Sequence, residues 1–131
     1  MAQLAGFNPK TVAIQIADVD AGVDIANRVV WVAPVACTVQ SVTVCGKATT
    51  AINTVDYVLI TLSKGGTAFA TKNFTSNIAA NTVYSFTLSN TAGVSVAANT
   101  PVLMDFTVAA ASNTNTDELC VTMTYNQDGL V

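Results

Sequence analysis

The chain of 131 residues contains no histidine. That removes the commonest general base and the commonest metal ligand, and with them any Ser-His-Asp or Cys-His site. Charge is scarce as well. Asp, Glu, Lys and Arg make up 10% of the residues, where an average domain has about 25%. Two readings follow: surface buried against partners, or a monomer coated with Thr, Ser and Asn. The five basic residues, Lys10, Arg28, Lys47, Lys64 and Lys72, are scattered, and the net charge is −3. Phosphate neutralisation has no footing in that pattern, so no nucleic acid is expected as a partner. Anionic membrane is excluded for the same reason.

Long apolar runs are also missing. No run of about 18 apolar residues is present, so no membrane-spanning helix is expected. Met1-Ala2-Gln3-Leu4-Ala5-Gly6 lacks the basic start and apolar run of a leader. The three cysteines are an odd number. Cys37 and Cys45 flank one expected strand and would lie about 26 Å apart at about 3.3 Å per residue, beyond disulfide reach. Cys120 is left to pair with one of them or, as expected here, to stay with both as free buried thiols, which suits a reducing cytoplasm.

What is present is alternation with period two, bounded by Gly, Asn, Ser and Pro. Val12, Ile14 and Ile16 share a face. Val29 to Val32 is a continuous apolar run that Pro34 stops. Val39 is followed by Val42 and Val44, and the change of phase predicts a bulge. Val58, Ile60 and Leu62 alternate with Tyr57, Leu59 and Thr61. Ser63-Lys64-Gly65-Gly66-Thr67 is a hairpin turn, because glycine supplies positive φ, and the return strand runs to Phe74. Tyr84, Phe86 and Leu88 share a face, as do Val102, Met104, Phe106 and Val108. Leu119, Val121, Met123 and Tyr125 close the chain. The pattern predicts an all-β domain over residues 11–125, a jelly-roll-like β-sandwich of about eight or nine antiparallel strands. Helix signals are confined to turns near Ala48–Asn53 or Asn90–Gly93. Residues 1–10 are expected as an N-terminal arm and residues 126–131 as a tail.

Candidate chemistry is thin, and no enzyme is expected. Asp56, Asp105, Asp117 and Glu118 are the conceivable paired carboxylates, but Asp105 lies opposite Met104 and Phe106 in phase and is expected in solvent. Asp18, Asp20 and Asp24 alternate before a turn, as hard oxygen ligands for Ca²⁺ do. The calcium loop wants Gly sixth and Glu twelfth, whereas Gly22 is fifth and Val29 twelfth. An acidic inter-strand loop is the expectation, with no metal and no cofactor. The Gly65-Gly66 segment lacks the spacing of a phosphate loop. Asn73-Phe74-Thr75 is a glycosylation triplet, silent without a leader. Trp31, Tyr57, Tyr84 and Tyr125 would bind sugar only as exposed coplanar rings; Trp31, Tyr84 and Tyr125 are expected in the core.

Partner-binding residues are sought among apolar side chains out of phase with the core. Leu59, Val83 and Leu103 fall on the face opposite the core set, among polar neighbours Thr61, Ser85 and Thr107. They predict a hydrophobic patch and a homo-oligomer. Leu4 and Phe7 belong to no strand pattern and predict an arm that touches a partner.

Val32-Ala33-Pro34-Val35-Ala36-Cys37-Thr38-Val39-Gln40-Ser41-Val42-Thr43-Val44 resembles a pattern in small tailed-phage virion proteins, where a Pro-containing turn precedes a C-T-V-x-S-V strand. Ile60-Thr61-Leu62-Ser63-Lys64-Gly65-Gly66-Thr67 is similar to the hairpin that follows it there. The resemblance covers residues 29–75 and rests on fold positions, so it carries over no binding residue. It implies a head decoration, or cement, protein: a virion component, made in the host cytoplasm, that trimerises on the major capsid protein. A tail-fibre or baseplate domain and a carbohydrate-binding module share the same general description.

Overall fold

A computed structural model describes residues 9–20, 23–55, 57–108, 116 and 118–128. Ten strands are present among them: β1 (Lys10–Ile16), β2 (Ile25–Val32), β3 (Cys37–Gly46), β4 (Val58–Lys64), β5 (Thr67–Phe74), β6 (Val83–Ser85), β7 (Thr87–Leu88), β8 (Val94–Val96), β9 (Pro101–Val108) and β10 (Leu119–Gln127). They form two antiparallel sheets. The first has the order β1-β10-β3-β6, with β8 also on β3, and the second β2-β9-β4-β5-β7.

The pairing follows a folded ribbon. β1 pairs with β10, β2 with β9, β3 with β6 and β8, and β4 with β5. The chain crosses from sheet to sheet between successive ribbon segments, which is the wrapped order of a jelly roll. The strand number exceeds the expected eight or nine because β6 and β8 pair with the two ends of β3 and together fill one strand position. β7 adds a two-residue edge.

The inward faces are those the alternation marks. Ile14, Ile16, Val42, Val44, Val121 and Met123 from the first sheet meet Ile60, Leu62, Met104 and Phe106 from the second. β4 and β5 are joined through Gly65 (φ 53°) and Gly66 (φ 82°). Two positive φ values in a two-residue loop are the turn that matches strand twist. At the bulge, Ser41 faces Thr124 while Val39 faces Tyr125, so Gln40 is the extra residue. That insertion keeps Val39 and Val42 both buried.

Three expectations change. Trp31 is half-buried on the edge strand β2, its ring 4.9 Å from that of Tyr125 and tilted by 44°. Register shifts either side of Arg28-Val29 reset the phase of this strand, so an apolar run here does not make a buried strand. Asp105 is not merely solvated. Its carboxylate accepts the Asn27 N–H at 2.7 Å, where Asn27 holds the left-handed φ of 51°. Strand pairing reaches past the expected domain limits of residues 11–125. Lys10 already pairs with Tyr125, and Gln127 still pairs with Cys37. Asp128 then donates its N–H to the Ala36 carbonyl at 2.9 Å and accepts the Thr38 hydroxyl at 2.6 Å.

Candidate functional site

The outward side of the first sheet is the most distinctive surface. Register sets it in rows across the strands. Gln15, Cys120, Cys45 and Val83 form one row. Ala13, Thr122, Thr43 and Ser85 form the next, and Thr11, Thr124 and Ser41 a third. None of these side chains is charged, and all but Gln15 are small. Charged residues stand at the borders of these rows: Lys47 and Glu118 line a groove with Gln15, Cys45 and Cys120, Arg28 and Asp18 line another with Gln15, and the Asp128 carboxylate accepts the Thr38 hydroxyl. Outward positions on β3 and β10 were legible as polar, but their alignment needs the pairing of strands far apart in the chain. The signal was the matched pair of segments Ser41-Val42-Thr43-Val44-Cys45 and Cys120-Val121-Thr122-Met123-Thr124.

The expected hydrophobic patch is not formed as one surface. Leu59 and Leu103 are half-buried on the outward side of the second sheet, on neighbouring strands. Leu59 faces Thr107 and Leu103 faces Ser63, which separates them along the ladder. Val83 is 64% exposed but lies on the first sheet. Its outward phase was read correctly. Between β5 and β6, however, the chain changes sheet, so outward there means the opposite side of the sandwich. Leu4 and Phe7 lie outside the described residues, as do Asp56 and Asp117.

Elsewhere, polar groups serve the fold. The Asp24 carboxylate accepts the Val108 N–H at 2.9 Å. Asp18 lines an open groove of about 470 Å³ with Gln15, Ala17, Arg28 and Glu118 beside edge strands β1 and β2. Among the described residues no three His, Cys, Asp or Glu side chains are gathered as a metal-holding group. Tyr84 is half-buried rather than in the core. Its hydroxyl accepts the Ala79 N–H at 2.9 Å, its ring meets Phe74 edge-on, and the Lys72 ammonium sits 5.6 Å from its centroid. Tyr125 is buried, so Trp31 and Tyr125 make no flat sugar platform.

All three cysteines are free, but only Cys37 is buried; Cys45 and Cys120 are half-buried. Burial, and secondly the Asp128 carboxylate, push the Cys37 thiol above the usual cysteine value. The thiolate is the reactive form, so iodoacetamide at about pH 8 should alkylate Cys45 and Cys120 at least about tenfold faster than Cys37. Peptide mass mapping reads the order, and equal rates at all three would contradict this packing. The sign for stability follows. The native state keeps a proton that the unfolded chain releases, so this contribution is whole below the unfolded value and is lost as pH rises through the folded one.

No protein-family model matches the chain, and no curated protein matches it.

Proposed function

We propose that the chain is a non-enzymatic structural protein that binds the outside of a phage capsid and stabilises it, as a decoration or cement protein. The observation that carries this reading is the uncharged outward face of β1, β10, β3 and β6. Interface centres are depleted of charge, because an ion buried without a partner costs several kcal/mol. Thr, Ser, Ala and Cys side chains have few rotamers to lose on being covered. Strands joined side by side also present such a face rigidly, so little ordering is left for the moment of binding. The resemblance of residues 29–75 to small tailed-phage virion proteins names the class of partner, the major capsid protein. It also suggests a trimer, and the outward Leu59 and Leu103 on the other sheet are available for self-association.

The test is thermal rupture of empty tailed-phage shells built from the cognate capsid protein. With the purified chain added, the rupture temperature should rise, and native mass of the chain alone should show three copies. Shells that rupture at an unchanged temperature with the chain in excess would contradict the reading.

A further inference from the structure

We propose that Cys45 and Cys120 are a thiol modification site, a reduced pair placed to close into a cross-strand disulfide by exchange with a small disulfide. The two residues are direct partners in the β3–β10 ladder. Two residues further on, the Lys47 N–H donates to the Glu118 carbonyl. Antiparallel pairs alternate between bonded and non-bonded types, so Cys45 and Cys120 form a hydrogen-bonded pair. Such a pair has Cα atoms about 5.5 Å apart, within the roughly 4.4–6.8 Å that a disulfide spans. Its Cβ atoms, up to about 5.5 Å apart, must draw in to about 4.5 Å, so the bond closes under strain and is easily reduced.

Access is present too. Both thiols line an open groove of about 290 Å³ with Gln15, Lys47, Asn81 and Glu118. Each thiol is held only weakly: Cys45 Sγ is 3.9 Å from the Gly46 carbonyl, and Cys120 Sγ is 4.0 Å from Thr122 Oγ1. These contacts lean the thiols toward opposite ends of the pair, and rotation about each Cα–Cβ bond turns them inward. Cys37 is excluded, because it is buried against the core and pairs with Gln127 and Val96.

The exchange balances without another oxidant. One cysteine loses its proton to water, and its thiolate attacks a sulfur of the small disulfide. One small thiolate leaves and takes up a proton. The second cysteine, likewise deprotonated, attacks the protein sulfur of the mixed disulfide and expels the other small thiol. Two protein S–H groups are oxidised to one S–S bond, and the small disulfide is reduced to two thiols. In the free chain the face is open to this reaction.

The full chain is incubated natively with glutathione disulfide and followed by intact mass and peptide mapping. The expected product has lost two hydrogens, carries no glutathione, and joins the Cys45 peptide to the Cys120 peptide. C37S should close in the same way, while C45S should stop with one glutathione on Cys120. In denaturant the preference for this pair should disappear. A native chain that stays reduced, that keeps glutathione on both Cys45 and Cys120, or that links through Cys37 overturns the proposal.

Discussion

Replacing Phe106 with alanine should lower the unfolding free energy by about 3–5 kcal/mol, the usual loss for an aromatic side chain deleted from a core. Phe106 is fully buried. It lies on β9, between Ile25 of β2 and Ile60 of β4. Its ring therefore fills the sandwich where second-sheet strands meet the inward face of the first, and neighbours fixed in two ladders cannot close over the space. A domain holds only about 5–15 kcal/mol in all, so the variant should sit near the edge of folding. Urea denaturation reads the result as a lower midpoint with an unchanged slope. Val83→Ala, on an exposed edge, should stay within about 0.5 kcal/mol of the parent. A loss below about 1 kcal/mol for Phe106→Ala would mean that the two sheets do not pack as described.

Thr122→Arg should abolish shell binding while leaving the fold in place. Thr122 sits mid-row, opposite Thr43 on one side and Ala13 on the other. In the free chain a guanidinium there can rise into water. Against a shell it would be covered without a partner, at about 3–5 kcal/mol, or roughly a hundredfold or more in affinity. Val55→Arg is the control, since Val55 is 65% exposed in the loop before β4 and should bind as the parent does. Circular dichroism separates lost binding from lost structure. Full-strength binding by Thr122→Arg would remove this face from the interface.

The fold was legible where local pattern and local geometry coincide. Val58, Ile60 and Leu62 declare their face unaided, and Gly65-Gly66 declares the turn. The phase change between Val39 and Val42 announced a bulge, because an inserted residue shifts parity by one, and the register puts the extra residue at Gln40. Legibility ended where placement depends on distant strands. Trp31 was assigned to the core from its apolar neighbours, yet β2 is an edge strand whose phase is broken twice. Nothing local announces that Asp105 accepts from Asn27, since the two are brought together only by the pairing of β2 with β9. The same limit hid the candidate face. Thr43, Thr122 and Ala13 alternate with the apolar residues of their own strands, and only the register of β3, β10 and β1 makes them a row. It also separated Val83 from Leu59 and Leu103, because alternation gives the side of a strand but not the sheet to which the strand belongs.

Co-sedimentation of the purified chain with empty shells tests the central claim most directly. The chain should pellet with the shells and saturate at a fixed ratio to capsid protein. Because the proposed face carries no charge, raising the salt from about 0.1 M to about 1 M, which shortens the screening length from about 10 Å to about 3 Å, should change the bound fraction little. A chain that stays in the supernatant at high micromolar concentration, with shells intact, would contradict the account.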